Sequence, residues 1–178
     1  DRIEKCPTLK KIKKENIYFS KMISVSPYTL AAHHSIFSGL YPSQNGVDAY
    51  YHMFRFKKEI KTFPEILKDE GFYTKADVIS ENIIPKRGFN EISTFDEKTT
   101  NFSIRHSEII KKIAEKEKFF LFLHYEGVHS KLLEDVMKKY DPKENDDKYF
   151  DNISDNENRY DSYLVECNEY VKNIQKTI

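Results

Sequence analysis

Residues 119–125 read FFLFLHY, an apolar run that ends in His124 and Tyr125. A run of this length without alternating polar residues is typical of a strand that is covered on both faces, as in the parallel sheets of α/β proteins. We therefore expect a buried strand at this point of the chain. Its neighbours in the sequence decide what kind of sheet it joins.

Helical and strand patterns alternate on both sides of this run. Residues 17–25 and 72–79 are rich in β-forming residues and are predicted to be strands. Helices are predicted at residues 7–16, 30–40, 62–70, 101–118, 131–140 and 156–178. The acidic, Asn-rich tract 141–155 is predicted to be an exposed loop. This order predicts an α/β fold with a mainly parallel sheet, in which ligands bind beyond the carboxyl ends of the strands.

The composition excludes several classes of protein. Lys plus Arg and Asp plus Glu both total 29, so the formal net charge is zero and no nucleic-acid partner is expected. Although 33% of the residues are charged, 13 Phe and 12 Tyr supply the apolar content that disordered chains lack. No apolar run is long enough to predict a transmembrane helix.

The two cysteines, Cys6 and Cys167, lie near opposite ends of the sequence and have no metal-binding spacing. We expect two free thiols, with a long-range disulfide as the alternative.

The densest group of chemically useful residues is 26–42, SPYTLAAHHSIFSGLYP. Thr29 falls where the predicted strand passes into a helix, and backbone amides at a helix N-terminus attract a phosphate or sulfate group. A hydroxyl at this point is suited to nucleophilic attack on such a group, provided that a metal or base activates it. The alternative is that Thr29 simply caps the helix.

This segment resembles the nucleophile region of sulfatases in the alkaline-phosphatase superfamily. The turn at residues 38–42 (SGLYP) and the following residues 45–47 (NGV) match that family's pattern, which places the nucleophile at Thr29. Formylglycine sulfatases have Cys or Ser there, followed by Pro and Arg where this chain has Ala31 and His33. A Thr nucleophile is instead similar to the phosphoethanolamine and phosphoglycerol transferases, which form a phospho-threonine intermediate.

Further segments resemble the same family in the same order. They are residues 7–19, 62–74 (TFPEILKDEGFYT), 88–90 (GFN), 119–130 (FFLFLHYEGVHS) and 160–171. The resemblance implies an alkaline-phosphatase-like three-layer fold with a mainly parallel sheet, here incomplete. Residues 1–178 are expected to be the N-terminal and central part of the catalytic domain, without its C-terminal metal-ligand segment.

The resemblance also gives roles to three histidines. His129 matches the histidine that binds the anionic group and is a candidate for catalysis with Thr29. His33 stands at the family's Arg position and is expected to contact the substrate, as is His124. From the residues alone, a surface-loop position is favoured for His129 and a packed core position for His124, while His34 is expected to pack.

A divalent metal ion, Ca²⁺, Mg²⁺, Mn²⁺ or Zn²⁺, is implied by the resemblance, with Thr29 and Asp1 as candidate ligands. In the family, an Asp–His or Asp–Asn pair well downstream supplies further metal ligands. No such pair in a Gly-rich context follows Tyr125, and Asp151 and Asn152 are only a weak candidate. We therefore expect either a fragment or a degenerate homologue.

The leading hypothesis is a metal-dependent hydrolase or phosphotransferase that acts on sulfate or phosphate esters through Thr29. Its substrate would be an anionic ester such as a sulfated glycan or a phospholipid head group. The alternative is a non-catalytic fold that binds anionic glycans or acts as a scaffold. An unrelated flavodoxin-like module would need a Gly-rich phosphate loop, which five scattered glycines do not form. The family favours a periplasmic, extracellular or membrane-tethered location over the cytoplasm.

Overall fold

The computed structural model describes residues 2–48, 55–139 and 152–178. The chain divides into two compact units, which are considered separately. The sheet unit comprises Ser20–Asp96 and Lys112–His124, and the helical unit comprises Asp1–Phe19, Glu97–Lys111 and Tyr125–Ile178.

Helices and strands alternate along much of the chain. The strands are β1 (Tyr73–Val78), β2 (Glu91–Thr94) and β3 (Phe119–Leu123). The α-helices are α1 (Pro7–Glu15), α2 (Thr29–Ser38), α3 (Pro42–Asn45), α4 (Phe63–Asp69), α5 (Phe102–Ile113), α6 (Gly127–Lys139) and α7 (Ile153–Thr177). Short 3₁₀ turns occur at Ile3–Lys5 and Glu81–Ile83. No helix among the described residues is long and apolar enough to cross a membrane.

The described strands form one sheet in the order β2-β1-β3, and both pairings are parallel. Ala76 in the central strand lies opposite Ile92 on one side and Phe122 on the other. Buried side chains from β1 and its surroundings form the core of this unit; they are Phe37, Ala76, Val78 and Ile84. The predicted parallel α/β sheet is therefore confirmed.

Helix α4 begins as its sequence predicts. The Thr62 hydroxyl accepts a hydrogen bond from the Glu65 backbone N–H at 3.3 Å, and the Glu65 carboxylate accepts one from the Thr62 N–H at 2.8 Å. This reciprocal arrangement satisfies two N–H groups that the helix itself leaves without partners. Because α4 leads directly into β1, the capping box helps to fix where the central strand starts.

One predicted strand is wrong. Residues 17–25 form no strand, and the side chains of Ile17, Phe19, Met22 and Ile23 are exposed. A β-forming sequence becomes a strand only when a neighbouring strand takes up its backbone hydrogen bonds. Among the described residues no other strand pairs with this segment.

Other boundaries also differ from prediction. Strand β3 is at the edge of the described sheet and only partly buried, rather than covered on both faces. Helix α5 ends before the run of charged residues at 115–118, and α7 begins before residue 156. Strand β2 was not predicted because it is short and half polar. Most of the predicted loop 141–155 lies outside the described residues.

The helical unit is held together by polar contacts between its helices. Arg2 donates to the carboxylate of Asp161 at 2.8 Å, and Lys131 of α6 forms an ion pair with Glu166 of α7. In the interior, Nδ1 of the buried His106 lies 2.7 Å from the Tyr170 hydroxyl. These contacts attach the N-terminal turn, α5 and α6 to the long helix α7.

Candidate active site

Thr29 is the first residue of α2, and its hydroxyl does not cap the helix. The N-cap is Tyr28, which has an extended backbone (φ −132°, ψ 149°) and makes no side-chain capping hydrogen bond. The interpretation of Thr29 as a cap is therefore wrong. Thr29 is half-buried, and its hydroxyl forms no hydrogen bond with another residue in the described part of the chain.

The start of α2 offers a favourable place for an anion. The helix has ten residues, and its first internal bond is donated by the Ala32 N–H to the Tyr28 carbonyl at 3.1 Å. The amides before Ala32 therefore have no acceptor within the helix, and the helix dipole adds partial positive charge at the same end. Thr29 is the first residue of the same turn.

Two of the predicted site histidines meet in the sheet unit. His33 lies one turn after Thr29 on α2, which puts both on the same side of the helix. Its ring contacts that of His124 edge to face, with centroids 5.1 Å apart and planes at 82°. His124 directly follows β3, and its backbone N–H donates to the Asp77 carbonyl at 2.9 Å. This bond continues the β1–β3 ladder and fixes His124 at the carboxyl end of the sheet.

The remaining predicted residues lie elsewhere. His129 is exposed at the surface, as the alternative interpretation expected, but it lies in the first turn of α6 in the helical unit rather than in a loop. Asp1, the candidate metal ligand, lies outside the described residues. The described structure thus brings together Thr29, His33 and His124 within one unit.

His34 behaves as expected for a packing residue. It is buried, its Nδ1 lies 2.8 Å from the Leu30 carbonyl, and its ring packs against Phe56 at 5.4 Å. Burial lowers the pKa of His34 below its ordinary value, although the bond to Leu30 opposes the shift. His34 is therefore a neutral part of the interior at physiological pH.

The turn after α2 is stabilised by hydrogen bonds of a buried asparagine and by a glycine in the left-handed region. The Asn45 side chain is fully buried and donates to the Ser35 hydroxyl at 3.4 Å and to the Leu40 carbonyl at 3.4 Å. Its carbonyl oxygen accepts from the Val47 N–H at 2.9 Å. Gly39 ends α2 in the left-handed region at φ 68°, which favours glycine. The SGLYP and NGV motifs therefore hold the end of the helix that carries Thr29.

One buried carboxylate was not anticipated from the sequence. Asp77 of β1 is completely buried, and its Oδ1 accepts a hydrogen bond from the Ser93 hydroxyl of β2 at 2.6 Å. The backbone carbonyl of Asp77 accepts the hydrogen bond from the His124 N–H. An isolated Asp within an apolar strand is the only sequence signal, and it does not say which neighbours the register will provide.

The described residues do not form a complete metal site. No group of three or more His, Cys, Asp or Glu residues in ranges 2–48, 55–139 and 152–178 could hold a metal ion. The predicted Ca²⁺, Mg²⁺, Mn²⁺ or Zn²⁺ thus has no complete ligand set in this part of the chain.

Comparison with known proteins identifies the family of the chain and its fold. The Sulfatase family matches residues 1–178. The structure is similar to two crystal structures of the C-terminal periplasmic domain of EcEptC from Escherichia coli. The one described as a complex with Zn has a TM-score of 0.65 and 15% identity, and covers 98% of this chain and 52% of that one. The other has a TM-score of 0.63 and 14% identity, and covers 97% and 52%. No curated protein was found to match the chain.

The chain belongs to the sulfatase family, since the match covers its whole length. The predicted alkaline-phosphatase-like fold is confirmed, and only part of that fold is present. The chain spans about half the length of the solved neighbours.

Proposed function

We propose that this chain is a catalytic part of a sulfatase-type hydrolase or phosphotransferase, and that Thr29 is its nucleophile. The observation that carries the proposal is the position of the Thr29 hydroxyl at the N-terminus of α2, where it is not used as a cap. Membership of the sulfatase family supports ester chemistry at sulfur or phosphorus.

The proposed reaction has two stages. Thr29 Oγ attacks the phosphorus or sulfur atom and forms a new Oγ–P or Oγ–S bond, while the bond from that atom to the ester oxygen breaks. Thr29 gives up its hydroxyl proton, the leaving oxygen takes up a proton, and the organic group departs as an alcohol. Water or an acceptor alcohol then displaces Thr29 from the modified enzyme. The free amides at the start of α2 stabilise the negative charge on the transferred group.

Histidines are proposed to assist this chemistry. His33 is placed one turn from Thr29 and is supported by His124, so it can contact the anionic group or the departing oxygen. His129 is the family-based candidate for anion binding or for protonating the leaving group, because an imidazole can serve either as a cation or as a proton donor.

Metal dependence, substrate and location belong to the same proposal. A zinc complex exists for one of the solved neighbours, and the family resemblance implies a divalent ion. Sulfated glycans and phospholipid head groups are the substrate classes proposed. A periplasmic or extracellular location is proposed because the solved neighbours are periplasmic domains.

The test measures turnover of p-nitrophenyl phosphate and p-nitrophenyl sulfate together with bound metal. It compares this chain with the gene product extended at both ends. In whichever form is active, Thr29→Ala should reduce turnover by about 10³-fold or more, and Thr29→Ser should retain part of it. Ser43→Ala, at an exposed hydroxyl, is the matched control. Mass spectrometry of rapidly quenched reactions should find the transferred group on Thr29.

Unchanged turnover in Thr29→Ala would refute the assignment of the nucleophile. Absence of both turnover and bound metal in the two forms would favour the binding or scaffold function instead.

A further inference from the structure

The two cysteines of the chain, far apart in sequence, lie on helices that pack together in the helical unit. Cys6 is the N-cap of α1, Cys167 lies on α7, and they are the only cysteines in the sequence. Both are reduced thiols in this structure. Cys6 is 1% exposed, whereas Cys167 is only half-buried.

Two contacts align the start of α1 with the part of α7 that carries Cys167. The Cys6 thiol donates to the Leu164 carbonyl at 3.6 Å. Two residues further along, the Thr8 N–H donates to the Asn168 side-chain oxygen at 2.8 Å. Leu164 and Asn168 are one turn apart and so face α1 together, and Cys167 lies between them at the flank of that face.

The electrostatics of the thiols agree with this placement. Burial raises the pKa of Cys167, and the neighbouring Cys6 raises it further. Burial also raises the pKa of Cys6, with Asp161 as the second cause. Each thiol therefore reacts through the small fraction that is deprotonated, in an environment that α1 and α7 create jointly.

We propose that Cys6 and Cys167 form a disulfide bond under oxidising conditions and thereby join α1 covalently to α7. The oxidant is a disulfide compound such as oxidised glutathione. The more exposed Cys167 attacks it as the thiolate, releases one glutathione thiol and becomes a mixed disulfide. Cys6 then attacks the Cys167 sulfur and releases the second glutathione. Two protein thiols are oxidised, one disulfide is reduced, and the two thiol protons pass to the released glutathione.

The bond would enclose almost the entire sequence between its two ends. Closing so long a loop restricts the unfolded chain and stabilises the folded one, provided that the native geometry accepts the bond without strain. The proposal is independent of the catalytic one. It fits a periplasmic or extracellular location, where disulfides form and persist.

The test compares disulfide formation in the folded and unfolded protein. The full chain is equilibrated with reduced and oxidised glutathione in native buffer and in denaturing urea, then quenched with an alkylating maleimide. The mass of the intact protein shows how many thiols were free to react with the maleimide. Proteolysis without reduction identifies the disulfide-linked peptide pair that contains Cys6 and Cys167. We expect the equilibrium constant for the intramolecular disulfide to be at least about tenfold larger in native buffer than in urea, because packing raises the effective concentration of one thiol near the other.

The single variants Cys6→Ser and Cys167→Ser are the controls. Each should give only glutathione adducts or intermolecular dimers, while the unmodified chain loses both thiols as a monomer. The oxidised monomer should also melt several degrees above the reduced one. An equal or smaller equilibrium constant in native buffer, two thiols that stay fully alkylatable, or a lower melting temperature after oxidation would each overturn the proposal.

Discussion

The imidazole of His33 meets that of His124 edge to face, 5.1 Å between centroids, although one lies on helix α2 and the other at the end of strand β3. The arrangement couples the helix that carries Thr29 to the carboxyl end of the sheet. Because the two rings are in direct contact, a change to one alters the packing of the other.

The first prediction concerns this pair. In the active form of the protein, His33→Gln and His124→Gln should each reduce turnover, and the double variant should lose less than the product of the two single effects. Non-additivity is expected because the residues are in direct contact. Steady-state kinetics on all four proteins complete the double-mutant cycle. Fully multiplicative losses would show that the two rings act independently.

The second prediction uses two glycines of the sheet unit. Gly88 has φ +87°, and a Cβ there would lie 2.2 Å from the Glu65 backbone nitrogen. Gly71 has φ +83°, but a Cβ there would meet nothing within 4 Å. Gly71→Ala should lower the free energy of unfolding by about 1–2 kcal/mol through backbone strain alone. Gly88→Ala should cost at least about 2 kcal/mol more, because a steric clash is added. Urea denaturation measures both, and equal losses would argue against the close approach at Gly88.

The third prediction tests the buried polar contact of the helical unit. His106 is completely buried, and its Nδ1 lies 2.7 Å from the Tyr170 hydroxyl. Tyr170→Phe should lower the free energy of unfolding by about 1–3 kcal/mol, because it removes the partner of a buried ring nitrogen. Tyr160→Phe, at an exposed tyrosine of the same helix, should change it by less than about 0.5 kcal/mol. Similar effects at the two tyrosines would contradict the role given to Tyr170.

The fourth prediction is a pH dependence of stability that arises from His34. Its folded-state pKa is lowered by burial, so below about pH 6.5 the unfolded chain binds a proton that the folded chain does not. The stability contributed by neutral His34 is therefore complete above about pH 6.5 and is lost as the pH falls toward the lowered value. His34→Gln should weaken the pH dependence of stability below about pH 6.5, because it removes the group whose pKa differs between the folded and unfolded chain. The free energy of unfolding is measured by urea denaturation at several pH values. If it depends on pH as steeply in His34→Gln as in the unmodified chain, the prediction is refuted.

Local signals predicted several elements well. The capping box at Thr62 and Glu65 correctly located the start of α4, because both partners lie within one turn of helix. The parallel sheet also followed from the alternation of helices and strands. The small, helix-forming residues after Thr29 correctly predicted helix α2, although the strand expected before them does not form.

Features that depend on residues far apart in the sequence could not be predicted from local patterns. Residues 17–25 have a strand composition but no strand partner among the described residues. The burial of Asp77 depends on the register that brings Ser93 beside it. The contact between His33 and His124 requires that α2 and β3 be packed together, and neither local sequence contains that information.

The exposed apolar segment at residues 17–25 also has a consequence for handling the protein in solution. Ile17 and Ile23 are each 85% exposed, and Met22 is 76% exposed. The acidic and basic side chains balance, and the isoelectric point is near 7.2, so at neutral pH little long-range repulsion keeps two molecules apart. Solubility should therefore pass through a minimum close to neutrality. Buffers near pH 9, which give every molecule a net negative charge, should keep concentrated samples dispersed.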